Sequence, residues 1–323
     1  MPDLPAATGR GQVRTIRPRP ADPGAGWVDL DGPTYYVDHG GPSDGPLLVC
    51  VHGLGGSLLN WAAIAPLLTQ TCRVLAIDLP GHGRTRALGR PTTVNADQRL
   101  LRRFLTEVCQ GPAVLVGNSM GGMISILQAA AHPETVTGLV LIDPALPQIR
   151  FTKPDPRVAA GFLAFAVPGI GRAVLAGRRH HNSPERAVDA MLRLCCADPS
   201  RIPGDLVQAA VELTRERLTY PGTDSEFLSA ARSLMWVLTN HRAYESRMSQ
   251  VRAPVLLLHG DKDRLVSLTS ARVVARANPT WRFEVALNVG HVPQLEVPHW
   301  TADTILDWLT TAGSVAADGV VLN

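Results

Sequence analysis

A serine stands between glycines in the stretch Gly117-Asn118-Ser119-Met120-Gly121-Gly122. The aliphatic run 113–116 before it reads as a buried strand, and residues 123–131 after it read as a helix. A strand that turns sharply into a helix leaves little room around the turn residue. Glycine two before and two after the serine removes the side chains that would collide. The hydroxyl is then held exposed, in a strained turn, at the carboxyl end of the strand. The helix amino terminus behind it offers free N–H groups and a positive dipole end for developing negative charge. Those features suit nucleophilic attack by Ser119.

Such a hydroxyl is a poor nucleophile until a base takes its proton, and histidine is the residue type that takes and returns one near neutral pH. Histidines and carboxylates recur where strands end. Strand 47–51 runs into His52-Gly53-Leu54-Gly55-Gly56, and strand 73–77 into Asp78-Leu79-Pro80-Gly81-His82. The second of these is a tight turn in which Asp78 and His82 can satisfy backbone groups, and the His52 ring can brace its own loop. Asp143 closes strand 138–142. Strand 254–258 leads into His259-Gly260-Asp261-Lys262-Asp263, and strand 281–285 into Asn288-Val289-Gly290-His291-Val292-Pro293. Asp261, Asp263 and Asp143 all compete as the acid that would orient a catalytic histidine.

The elements that must hold these residues alternate. A hairpin is predicted from 27–30 and 34–37 around Asp31-Gly32, then helices over 60–70 and 94–109, the latter with Arg99, Arg102 and Arg103 on a solvated face. Strand–helix alternation up to residue 142 implies a mostly parallel, doubly wound α/β sheet with helices on both faces. The alternation then stops. Between 145 and 251 there are only apolar clusters at helical spacing (158–166, 187–194, 206–213 and 227–238), punctuated by Pro168, Pro184, Pro203 and Pro221. The expected organisation is a disordered arm over 1–26, a core formed by 27–145 and 251–312, an inserted helical cap over 146–250, and a flexible tail over 313–323.

From about Trp27 to Thr311 the chain resembles the α/β-hydrolase superfamily. The resemblance rests on the Gly-x-Ser-x-Gly elbow, the His-Gly loop, Gly-x-x-Asp followed by an apolar pair, and Gly-His after the last strand. It implies Ser119 as nucleophile, His291 as base and Asp263 as the acid, with Asp261 capping the turn and Asp143 in reserve. It implies backbone N–H groups of Leu54 and Met120 as an oxyanion hole, and a cap roofing the site. Phe162, Phe165, Leu234, Met235 and Trp236 are then candidates for the substrate pocket. The expected reaction is hydrolysis of a small-molecule carboxylic ester through an acyl-enzyme, without a cofactor. A serine at the elbow argues against the epoxide hydrolases and haloalkane dehalogenases, which need a carboxylate there. The elbow and Asn60-Trp61 are also similar to carbon–carbon hydrolases of ring-cleavage dienones. Those enzymes commonly have tryptophan after the histidine, where this chain has Val292. Relatives also include cofactor-free perhydrolases, and receptors that usually lack a triad member.

The composition excludes other classes. A net charge of +3, with no basic stripe interleaved with aromatics, argues against a nucleic-acid partner. The five cysteines, Cys50, Cys72, Cys109, Cys195 and Cys196, form no Cys-x-x-Cys pair, so neither a zinc site nor a disulfide framework is expected. His180-His181, in the basic run from Arg178, lacks a carboxylate at ligand spacing and reads as a surface turn. No secretory signal and no apolar run of membrane-spanning length is present, and a cytoplasmic location is expected. The sequence leaves the oligomeric state open.

Overall fold

A computed structural model of the chain describes residues 24–147, 160–161, 164–167 and 169–318. Eight strands form one sheet: β1 (Ala25–Asp29), β2 (Pro33–Gly40), β3 (Leu47–Val51), β4 (Arg73–Ile77), β5 (Ala113–Asn118), β6 (Val136–Ile142), β7 (Val255–Gly260) and β8 (Arg282–Ala286). Their spatial order is β1-β2-β4-β3-β5-β6-β7-β8. The β1–β2 and β2–β4 pairs are antiparallel, and the rest are parallel. Parallel strands are covered on both faces, which is why they read as unbroken apolar runs. Successive residues feed two separate cores. Val49, Val51, Leu115, Leu139, Leu141 and Leu257 enter one, whereas Leu48, Cys50, Val116, Val140, Ile142 and Leu258 enter the other. Each such side chain, fully buried, contributes about 1.5–3 kcal/mol of transfer free energy.

The core helices are α1 (Ala65–Leu68), α2 (Val94–Phe104) and α3 (Met120–Ala131). The expected single helix over 60–70 is broken. Ser57 caps a tight turn at Leu58–Trp61 through a capping box with Asn60, and the chain restarts as α1 with Pro66 in its first turn. Proline is tolerated only there, because it lacks an N–H and crowds the preceding turn. The expected helix over 94–109 divides at Phe104, where a wider π-turn, Leu105–Cys109, carries the chain to Gln110 in the left-handed region. At the front, β1 begins at Ala25, because Ala25 and Gly26 complete the ladder to Val37 and Tyr36. The arm expected over 1–26 otherwise lies outside the described residues.

Between β6 and β7 the described elements are all helical: α4 (Ile170–His181), α5 (Pro184–Cys195), α6 (Gly204–Arg217), α7 (Thr223–Thr239) and α8 (His241–Met248). This segment is built onto the core. Ala230, Leu234 and Val237 of α7 and Tyr244 and Met248 of α8 are buried in the same cluster as Met120 and Ile124, and the Tyr244 hydroxyl donates to the Ala145 carbonyl at 3.1 Å. After β7 come α9 (Leu268–Ala277), the short α10 (Pro293–Glu296) and α11 (Pro298–Asp318). α11 continues six residues into the stretch expected as a tail from 313; Ala316 and Ala317 suit a helix, and no proline stops it. Among the described residues, no helix is long and apolar enough to cross a membrane.

Candidate active site

Ser119 lies between β5 and α3 with φ 54° and ψ −118°, a conformation that L-residues adopt only under strain. Close packing explains the glycines beside it. A Cβ on Gly117 would lie 2.6 Å from the Gly121 carbonyl oxygen, and one on Gly121 would run into the carbonyl oxygens of Val51 and His52. The same crowding brings the loop after β3 to the serine: a Cβ on Gly53 would stand 2.9 Å from Ser119 Cβ. The N–H groups of Leu54 and Met120 donate to none of the described residues and are free for a ligand oxygen. The Ser119 hydroxyl also has no hydrogen-bond partner among the described residues. In a ligand-free site such contacts are commonly long.

Asp263 and His291 meet. His291 Nδ1 lies 2.7 Å from Asp263 Oδ2, with both side chains buried. Asp263 Oδ1 accepts the N–H groups of Leu265 and Val266 at 2.7 and 3.1 Å, which fixes its rotamer. Burial works against the Asp263 charge, but His291, helped by its other neighbours, holds the carboxyl below the usual range. Asp261 points elsewhere: it accepts from Val289 N–H and pairs with Lys262 at 2.9 Å, so it braces the neighbouring loop. Asp143 is fully buried, and its Oδ1 accepts the Gly260 N–H at 3.0 Å. His52 and Asp78 act as braces. His52 Nδ1 faces the Gly53 carbonyl and Nε2 accepts the Leu79 N–H, while Asp78 accepts the N–H groups of Leu58 and Arg84.

Several supports escaped the sequence. Asn118 Nδ2 donates to the His291 carbonyl at 3.0 Å, which ties the elbow to the histidine loop. The His291 N–H donates to the carbonyl of Cys195, the last residue of α5, at 2.6 Å. Glu296 accepts the N–H groups of Gly290, Ala197 and Asp198. Apart from Gly290–Glu296, six positions apart, these contacts span 96 to 173 positions, beyond the reach of any local pattern.

The pocket candidates divide. Phe165 and Met235 belong to an apolar cluster with Leu228, Ala231, Phe227 and Leu54. Phe165 and Phe227 meet edge to face at 5.4 Å, and Gly55 faces Phe227 and Met191. Leu234 does not join them; it is 3% exposed and packed in the core under α7. Trp236 turns outwards at 62% exposure. It lines a cavity of about 500 Å³ with Thr93, Arg172, Ser229, Arg232 and Ser233, a lining that includes neither Ser119 nor His291. Phe162 lies outside the described residues, as do the side chains of 178–181. Arg186 and Arg193 are exposed, and Arg193 pairs with Asp189. Asp143, His259 and Asp263 present ligand-type atoms within 4.8 Å of one another. Asp263 is already engaged by three N–H donors.

The sheet order, the strained serine and the inserted helices define a hydrolase. Residues 46–298 match the family model described as alpha/beta hydrolase fold, and the chain belongs to that family. It is similar to the monoacylglycerol lipase ABHD6 of Mus musculus, at 24% identity over 85% of this chain and 79% of that one. It is similar also to Lipase 1 of Psychrobacter immobilis, at 26% over 83% and 78%. Among solved structures it resembles a membrane phospholipase A described as a novel bacterial virulence factor, at 26% identity, TM-score 0.67, and coverage of 89% and 86%.

Proposed function

We propose that the chain cleaves carboxylic esters of apolar acyl groups through an acyl-enzyme on Ser119, with His291 as base and Asp263 as its orienting acid. The observation that carries this reading is the 2.7 Å contact between His291 Nδ1 and Asp263 Oδ2, on a loop tied through Asn118 to the strained serine. With Nδ1 committed to Asp263, Nε2 is the nitrogen left for the serine proton. Ser119 Oγ attacks the ester carbonyl as His291 takes that proton, and the oxyanion forms against the N–H groups of Leu54 and Met120. One such donor is worth roughly 3–4 kcal/mol in a comparable enzyme. The tetrahedral adduct collapses as His291 gives the proton to the departing alcohol. Water, deprotonated by the same nitrogen, then releases the acid. The aromatic and aliphatic cluster against Leu54 favours an apolar acyl chain, and the names of the lipase relatives point the same way.

The test is a chain-length series of nitrophenyl esters run beside a ring-cleavage dienone, with fluorophosphonate labelling. Wild type is expected to turn over the esters and to be labelled at Ser119, and Ser119→Ala to do neither while staying folded. Labelling of another serine in Ser119→Ala, or dienone turnover above that of every ester, would overturn the reading.

A further inference from the structure

Asp143 closes β6 at φ 43°, fully buried, and the reaction just described does not use it. Its neighbours nonetheless fix where one proton must lie. Asp263 faces donors with both oxygens: Leu265 and Val266 N–H on Oδ1, and His291 Nδ1 on Oδ2. It is therefore the acceptor in every contact. Asp143 and Asp263 are also close: one oxygen of each and a ring nitrogen of His259 all lie within 4.8 Å of one another, and both carboxyl side chains are buried. Two carboxylates that close in a dry site repel when both are ionised, so one of the pair carries a proton, and the three donors around Asp263 leave that role to Asp143. The position on Asp143 is available. Its Oδ1 accepts the Gly260 N–H at 3.0 Å, whereas Oδ2 is buried without any N–H or O–H donor.

His259 does not supply the proton instead. Its Nε2 lies 3.1 Å from the Val266 carbonyl, which can only accept, so Nε2 holds the ring hydrogen. Nδ1, 3.3 Å from Asp143 Oδ1, is then a bare lone pair, and burial keeps the ring neutral.

We propose that Asp143 is a positioning residue: a neutral carboxylic acid that donates its hydrogen to Asp263 and so holds that carboxylate turned towards His291. Burial first, and the Asp263 charge second, push the Asp143 carboxyl well above its ordinary range. The groups facing it are His259 on β7, Asp263 on the following loop, His291 after β8, and Glu296 of α10, whose charge adds to the upward push. Cys195, from α5, stays a neutral thiol because burial raises it to about 12. A neutral donor on Asp263 draws charge from the carboxylate. The proposal rests on the triad reading, and the readouts below separate the two.

In Asp143→Asn the amide nitrogen can take over the donation to Asp263 and the amide oxygen can accept from Gly260. This variant is expected to stay within about threefold of wild-type kcat, since both bonds survive. Infrared difference spectra at pH 7 should show loss of a protonated carboxyl band in Asp143→Asn. In Asp143→Leu, which removes the donor, kcat is expected to fall ten- to hundredfold as the dyad loosens, with KM unchanged. A kcat for Asp143→Asn as low as that of Asp263→Asn, or no carboxyl band lost, would overturn the proposal. If Asp143→Asn does not fold, Asp97→Asn serves. Asp97 is the other fully buried carboxyl pushed far up, by burial, so a band remaining in that background is Asp143, and its absence refutes the idea. Failure of Ser119 to label would count against the triad alone, because the band reports Asp143 whatever the nucleophile is.

Discussion

Asp263 and Asp261 are separated by one residue yet do unlike work, and mutation should part them sharply. Asp263→Asn is expected to lower turnover by about 10⁴-fold, because an amide favours the wrong histidine tautomer. Asp261→Asn, which loses only a brace and an exposed lysine contact, should stay within severalfold in the same nitrophenyl-ester assay. A pH effect belongs to His52. Burial lowers it from 6.5 to about 4, so unfolding takes up a proton in that window and stability rises with pH across it. Wild type is expected to lose stability on acidification from pH 6.5 to 4 more steeply than His52→Gln, measured by urea melts at several pH values. The tight turn at Ser119 and the contact of His291 with Asp263 rather than Asp261 could be read from strand-end motifs, because these are local. The reach of Asn118 to the His291 carbonyl, of His259 to Asp143 and of Glu296 to Ala197 and Asp198 could not, because only the folded chain brings those groups near.

At the scale of elements, α7 shows where a sequence pattern runs out. Phe227, Leu228, Ala231, Leu234, Met235, Trp236 and Val237 cover more than one face of that helix, so periodicity could not say which of them meet a ligand. The packing separates them, and substitution should follow the packing. Leu234→Ala, a cavity in the core, is expected to cost about 2–5 kcal/mol of stability with no change in acyl-length preference. Phe227→Ala should move the preference towards longer chains with a smaller loss of stability. Thermal melts paired with the ester series would distinguish them. The strand assignments fared better than the helix boundaries. A strand buried on both faces announces itself by an apolar run, whereas helix breaks here depend on Pro66, on the Ser57 cap and on a π-turn, each a local energetic balance.

Across the whole molecule, the helices between β6 and β7 share their core with the sheet, through Leu234, Val237, Tyr244 and Met248. They should therefore unfold with it. Urea transitions followed by far-ultraviolet circular dichroism and by iodide-accessible Trp236 fluorescence are expected to coincide, and a Trp236 transition at lower urea would show an independent layer. The link at Cys195 and Glu296 has a further consequence for modularity. His291 takes its N–H partner from the end of α5, and Glu296 clasps both the histidine loop and the turn at Ala197–Asp198. A chimera that exchanges the inserted helices for those of a relative, to import its specificity, would carry away half of the clamp on the His291 loop. The transplant should work only if residues 195–198 stay with the recipient, so the natural splice point lies inside the insert rather than at its ends.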